Sequence, residues 1–450
     1  MEIEQSSLWR EIESITRSGV KPVHFTYRVE IHVGEETILP LKLLSIDYVQ
    51  DFELKYADEV IIALAIPGGK YAKRIYPFKD QIEITLFKVP LAEMGDYNDE
   101  EAAPQSERYT ATLIDTGNPL LEANGMNAPS EEALDLTNVF QIQFQLVNKA
   151  LEQLRMISVG GIYRNATVED VIKSVLTVES RKLEVEGSRA PQGVEMVDAS
   201  NTKVRDHVIV PQGTKLVHLP EYIHYKCGGV YNAGLGYYLY GDYWHVYPCY
   251  DTTRFNKAES TFTVINIPKN KMPGVERTYR KDGSNLVVLA TGEVRFADDT
   301  EEQQLNWGNG VRFADAEKFM EGVLVKTMGN KAIATRGTNT SEFKATDRMS
   351  GNNNIHLSTN AIHANAFVEY SRLARRQGCV LSFVWENSLP ELVHPGMPTK
   401  VLYLLDGELR EVYGTVLKAH HFVQMAGEGM TDMRYVCRTM LAVFVEPVKE

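Results

Sequence analysis

A mainly β fold is what this 450-residue chain predicts: two similar β-barrel domains separated by a small α+β insert. Three observations predict it. Apolar and polar residues alternate from residue 22 onward and again from residue 379 to the C-terminal end, the period of a half-buried strand. A helical period is confined to a few short stretches. Tyrosine, favoured in strands and at interfaces, occurs 22 times.

The bulk numbers fit a large globular protein. With 44% hydrophobic and 24% charged residues the composition is ordinary and supplies apolar surface for large cores. At about 150 residues per domain, the length suggests roughly two to four domains. The formal net charge of -13 opposes tight binding of a phosphate backbone. An acidic wall does suit a passage that nucleic acid must cross without sticking. Cys227, Cys249, Cys379 and Cys437 show no CxxC spacing and are expected to be reduced, buried thiols. The N-terminus lacks the apolar core of a secretory signal, and no run of 18 apolar residues occurs. A protein made and folded in the cytosol, with no membrane anchor, is expected.

The elements follow in order. Residues 6–18 predict a helix with Leu8, Ile12 and Ile15 on one face, Trp9 beside them and Gly19 as a stop. This N-terminal arm (1–19) packs on its own chain or docks on a neighbouring subunit. The first β-barrel domain is expected over 20–162. VHFTYRVEIHV alternates, Gly34-Glu35 turns the chain, and QIEITLFKV alternates again after a Pro-Gly-Gly turn signal. The acidic stretch 91–108 reads as an exposed loop, because strand signal resumes at once in YTATLID and NVFQIQFQLV.

The insert is expected over 163–255. Thr167 and Asp170 form a capping box ahead of a helix whose Val168, Val171, Ile172 and Val175 share a face. A strand and a short helix ending at Gly228-Gly229 come next. The second barrel domain, 256–450, holds the strand-like STFTVINIPKNK, NLVVLATGEVRF, CVLSFVWENS, KVLYLLDGELREVYGTVLKAHHFV and RYVCRTMLAVFVEPV. It also holds a long polar loop at 327–354 and a helix at 365–378 with Phe367, Tyr370, Leu373 and Ala374 on one face. Asp406-Gly407 is a tight-turn signal.

Seven aromatic side chains fall between Tyr237 and Tyr250. GLGYYLY and YWHVYPCY read as two strands joined by Gly241-Asp242, and Gly in the first central position suits a type II′ hairpin. Strand alternation puts Tyr238 and Tyr240 on one face and Tyr237 and Leu239 on the other. On the return strand Trp244 and Val246 oppose Tyr243, His245 and Tyr247. Both faces are therefore aromatic, as in a ribbon sandwiched between layers, whereas a stacking platform for sugars or bases keeps one face polar. Tyr237, Tyr240, Trp244, Tyr247 and Tyr250 are the packing or interface candidates.

No catalytic constellation emerges. GxSxG, HExxH, GxGxxG and Walker A motifs are missing from the sequence. His218, His224 and Cys227 have a spacing that zinc would use only with a fourth ligand such as His245 or Cys249. Against this stands a short helix packed under the hairpin. His420 and His421 are strand neighbours and point to opposite faces. Arg375 and Arg376 sit where helix C-terminal cations complement the dipole. No catalytic residue, metal ligand or cofactor is expected, and an assembly part is favoured over an enzyme.

Four segments resemble a known family, the central baseplate hub proteins of contractile-tailed bacteriophages, similar in architecture to type VI secretion spike proteins. IPGGKYAKRIYPFKDQIEITLFKVPL looks like the family's first tube domain, where an extended segment turns into a barrel strand. LTNVFQIQFQLVNKALEQLRMISVGGIYRNATVEDVIKSVLT looks like that barrel's closing strand and the first helix of the intervening domain. VPQGTKLVHLPEYIHYKCGGVYNAGLGYYLYGDYWHVYP and HPGMPTKVLYLLDGELREVYGTVLKAHHFV look like the helix–hairpin segment and the second tube domain. The resemblance implies a homotrimer in the virion tail, assembled in the host cytoplasm. Six nearly equivalent barrels would surround a DNA channel and join a trimeric spike to a hexameric tail tube. Tail tube, tube-initiator and baseplate wedge proteins are the implied neighbours. The loops 91–108 and 327–354 would be decorations outside the ring. A tail-associated glycan-binding or cell-wall-degrading protein, with the aromatic hairpin as its sugar platform, is the alternative.

Overall fold

The computed structural model describes residues 2–17, 24–91, 104–115, 139–185, 190–293, 313–315, 324–328, 331–335, 356–358, 365–376, 378–405, 408–427 and 434–446. The fold is mostly β, with one large sheet of 14 strands. The first part of the chain runs α1 (Glu2–Thr16), β1 (Phe25–Val33), β2 (Glu36–Ile38), β3 (Lys42–Asp51), β4 (Glu59–Pro67), β5 (Ile82–Pro90), β6 (Gln105–Asp115) and β7 (Val139–Asn148). The middle holds α2 (Lys149–Met156), β8 (Ser158–Ala166), α3 (Val168–Ser180), β9 (Gly193–Met196), β10 (Arg205–Lys215), α4 (Leu219–Lys226), β11 (Leu235–Tyr240) and β12 (Tyr243–Pro248). The last part holds β13 (Thr261–Asn266), β14 (Tyr279–Asp282), β15 (Asn285–Glu293), β16 (Phe313–Asp315), β17 (Leu324–Met328), β18 (Lys331–Thr335) and β19 (His356–Ser358). It ends with α5 (Ala366–Arg376), β20 (Cys379–Glu386), β21 (Pro398–Leu405), β22 (Glu408–Met425) and β23 (Tyr435–Val445).

The large sheet closes on itself twice. One closed circuit runs β1–β5–β6–β7–β4–β3–β22–β23 and back to β1, antiparallel throughout. A second runs β13–β21–β22–β23–β20–β15 and back to β13, with two parallel pairings at β13. Both rings use β22 and β23. Residues 20–162 thus supply six strands of the first ring, and the two C-terminal strands complete it. β8 leaves the ring to pair with β10.

Each ring is filled by its own side chains, as small barrels require. Val29, Ile31, Ile46, Ile62, Leu64, Ile84 and Phe144 fill the first, joined by Val423 and Cys437 from the shared strands. Phe262, Val288, Phe383, Trp385 and Val401 fill the second, with Val416, Leu441 and Val443 from the same two strands. Closure leaves few open edges for stray pairing.

Several local expectations change. Residues 68–78 were expected to be a turn and an extended segment, but they form a continuous helical run of α, π and 3-10 turns. Packing is the cause. Tyr71 and Ile75 are both buried in the first ring's interior cluster, and a helical turn brings residues four apart onto one face. The run closes that ring's end between β4 and β5. Residues 105–108, expected in a loop, belong to β6, while 92–103 lie outside the described residues. Residues 327–328 and 331–335 instead belong to the paired strands β17 and β18, and the rest of the expected 327–354 loop lies outside the described set. Gly19 and the Asp406-Gly407 turn also lie outside it, although Leu405 and Glu408 pair across the latter.

α1 lies on its own chain. Leu8, Ile12 and Ile15 pack against Ile265, Ile267, Val287 and Leu289, on the face of β13 and β15 turned away from the second ring's interior. Arg280 pairs with Glu11 at 2.9 Å, and Trp9 stays 49% exposed.

Because the rings share a ribbon, they should unfold together. Val423→Ala in the first ring and Val443→Ala in the second should each cost about 2 kcal/mol. Each should shift a single thermal transition seen by both far-UV and near-UV circular dichroism. Two separated transitions would show that the ribbon does not couple the rings.

Candidate functional site

The aromatic hairpin is the centre of the insert and its joint to both rings. Gly241 has φ +57°, while Asp242 is not in the left-handed region, as a type II′ turn requires. Pairing sets Tyr238 opposite His245, Leu239 opposite Trp244 and Tyr237 opposite Val246, and β9 adds in parallel to β12. Alternation then sorts the side chains between two cores.

One face belongs to the insert. Trp244 and Val246 are buried among Val171, Ile172, Leu176, Leu219 and Ile223, with Tyr237 and Leu239 partly buried beside them. The indole N–H of Trp244 donates to Ser180 Oγ at 3.0 Å, so its polar atom is satisfied. α3 is held in place by the capping box read from the sequence: Thr167 Oγ1 accepts from the Asp170 N–H, and Asp170 Oδ2 accepts from the Thr167 N–H, both at 3.1 Å.

The other face docks on residues 52–58, the link between β3 and β4. Tyr238, Tyr247 and Cys249 are buried with Phe52 in the second ring's cluster, and Tyr240 and Tyr250 pack against its edge. The Tyr238 ring meets Phe52 edge-on at 4.9 Å. Tyr238 donates to Asp58 Oδ1, Tyr247 to the Phe52 carbonyl and Tyr250 to Glu53 Oε1, each at 2.8 Å. On the insert side of the same link, Tyr237 stacks on Tyr56 at 6.5 Å, and the Leu239 N–H donates to the Tyr56 carbonyl at 2.8 Å. Gly396 has φ +66°, and a Cβ there would sit 2.2 Å from the Tyr247 ring, so only glycine allows this approach. Arg254 ties the joint to the second ring by donating to the Gly396 carbonyl at 2.7 Å and Thr415 Oγ1 at 3.2 Å.

A polar chain crosses the seam beneath. Ser388 and Thr439 hydroxyls lie 2.5 Å apart, and Thr439 Oγ1 is 2.7 Å from His421 Nδ1. His421 Nε2 is 3.0 Å from Gln50 Oε1, and Gln50 Nε2 donates to Asp58 Oδ1 at 3.1 Å. Burial drives His421 down to about 3, which keeps it neutral. Burial also lifts the Asp58 carboxyl to about 6, against the opposing pull of the Tyr238 and Gln50 hydrogen bonds. Asp58 did not stand out in the sequence, and His421 was noted there only as the strand neighbour of His420.

The residues weighed for zinc are dispersed. His218 is exposed beside Glu221 at 3.2 Å, and His224 accepts the Val230 N–H at 3.1 Å inside the insert. His245 lies beside Glu195 at 3.2 Å, and Cys249 is in the other core. Among the described residues no group of three or more His, Cys, Asp or Glu is placed to hold a metal ion. His420 pairs with Asp47 at 3.0 Å on the face opposite His421. Arg375 pairs with Glu53 at 3.0 Å, and the Arg376 side chain lies outside the described residues. No helix among the described residues is long and apolar enough to cross a membrane.

No protein-family model matches the chain, and no curated protein matches it. Solved structures do. A tail protein from Neisseria meningitidis is similar at 11% identity and TM-score 0.46, over 93% of this chain and 96% of that one. A prophage 43 kDa tail protein from Shewanella oneidensis is similar at 8% identity and TM-score 0.43, over 92% and 98%. A component of the E. coli type VI secretion system, described as similar to T4 bacteriophage tail proteins, follows at 9% identity and TM-score 0.40, over 93% and 77%.

Trp244→Ala or Tyr247→Ala should cost ~3–5 kcal/mol in thermal or denaturant unfolding, the range for a fully buried large aromatic. Asp58 binds its proton more tightly when folded than unfolded. Its contribution to stability is therefore present below about pH 4 and lost as pH rises through about 6. Asp58→Asn should flatten the fall in stability over that window, measured by urea midpoints from pH 4 to 8.

Proposed function

We propose that this chain is the central hub of a phage tail baseplate. Three copies form a ring in which each contributes two β-barrels around a DNA channel, so that a trimeric spike meets a hexameric tail tube. The observation that carries this reading is the double closure: one chain builds two filled β rings on a shared ribbon. Three such chains present six barrels, the number a sixfold tube needs. The order of segments resembling the hub family agrees with it, and the net charge of -13 suits a wall past which DNA slides without ion pairing. The chain's work is then assembly, with no chemical step, at the virion tail beside spike, tube, tube-initiator and wedge proteins.

The hairpin's placement tells against the sugar-platform alternative. Trp244 and Tyr238 are fully buried, and the hydroxyls of Tyr238, Tyr247 and Tyr250 are already engaged. Multi-angle light scattering should give three times the 50.7 kDa chain mass. Incubation with purified cell wall should release no reducing ends or free amines. A stable monomer that cleaves or binds cell wall would sink the hub reading.

A further inference from the structure

The β8–β10 ribbon treats its two edges differently. β8 has β10 as its sole strand partner among the described residues, and β10 has only β8. The β10 edge is guarded. It carries Pro211 and a bulge between Val210 and Thr214, and the Cys227 thiol approaches the Ile209 carbonyl at 3.7 Å. Proline and bulges are the usual means of blunting an edge. β8, with the sequence SVGGIYRNA, has no proline or lysine.

The outward face of the same ribbon is apolar and basic. Ile162 and Ile209 oppose one another and are 62% and 57% exposed. Arg164 and His207 form the next cross-strand pair on that face, and both are exposed. The Arg164 guanidinium has no ion-pair or hydrogen-bond partner among the described residues, in a chain whose net charge is -13. The opposite face, with Val159, Val208 and Val210, is buried in the insert core.

We propose that the open edge of β8 is a strand-addition site for an extended, acidic segment of a partner protein. Period-two geometry states what that segment must carry. An apolar residue lies beside Ile162, and a carboxylate two positions away lies beside Arg164. Main-chain hydrogen bonds to β8 supply affinity, and the Ile–Arg pair supplies register and charge selection. This site goes beyond the assembly reading and does not depend on it.

The test uses the full chain and a short, blocked synthetic peptide that alternates valine and threonine, with glutamate two residues from its central valine. Fluorescence polarisation should show saturable, salt-weakened binding, and amide exchange should slow within 158–166. Ile162→Lys and Arg164→Glu should each weaken binding about tenfold or more. Arg164→Glu should regain affinity for a peptide with lysine in place of glutamate. Both positions are exposed, so unchanged thermal melts confirm that the variants fold. No saturable binding up to about 1 mM overturns the proposal, as does binding that ignores both substitutions or protects other strands. A self-association of the chain alone that Ile162→Lys abolishes makes a second copy the occupant, and also overturns it.

Discussion

Two strands have to satisfy two interiors, and the rest of the architecture depends on that double duty. β22 is 18 residues long, and in its first half the side chains that point inward, such as Val412 and Val416, lie at even positions. After the irregularity between Val416 and Lys418, the inward set becomes Ala419, His421 and Val423, at odd positions. A bulge of one residue flips the alternation. After it, Ala419 still packs in the second ring, His421 enters the polar seam and Val423 reaches the first ring, so one continuous strand passes from one interior to the other. A one-residue slip along this ribbon would expose both cores at once, so register is under pressure from two sides.

Where the two interiors meet, the filling changes from hydrocarbon to hydrogen bonds. Ser388, Thr439, His421, Gln50 and Asp58 each come from a different strand or link, and Tyr238 brings in the hairpin. A buried polar group is tolerated only when partnered. The network is therefore satisfied in one relative placement of β3, β4, β22, β23 and hairpin. Packing area supplies most of the attraction at this seam, and the network supplies direction. The nearby pair of Lys88 and Glu391, 2.6 Å apart with the ammonium 3.9 Å from the Phe25 ring centre, does the same between β5 and the segment after β20.

Much of the fold was legible because it rests on period. Alternation located β1, β5, β7, β13, β15, β20, β21 and β22, and the Thr167–Asp170 spacing located the start of α3. The hairpin faces followed from parity alone, with Trp244 and Tyr238 in different cores. Partner choice was not legible. Nothing local to Tyr435–Val445 shows that it lies between β22 and both β1 and β20, because long-range pairing leaves no mark in a strand's own pattern. The helical run at 68–78 was hidden for a related reason. Gly68 and Gly69 advertise a turn, while the stabilisation comes from Tyr71 and Ile75 reaching a core built by other strands. His421 looked like half of an ordinary histidine pair until β3 supplied Gln50.

The first ring is solid along its axis. Its bore is occupied by branched and aromatic side chains, and one end is stoppered by Tyr71 and Ile75. Side chains filling a small barrel in this way leave it no open bore. Any conduit in an assembly of this protein must therefore be framed by the outsides of its barrels. The side chains that a passing polymer would brush are the outward members of each strand, which the core leaves free to vary.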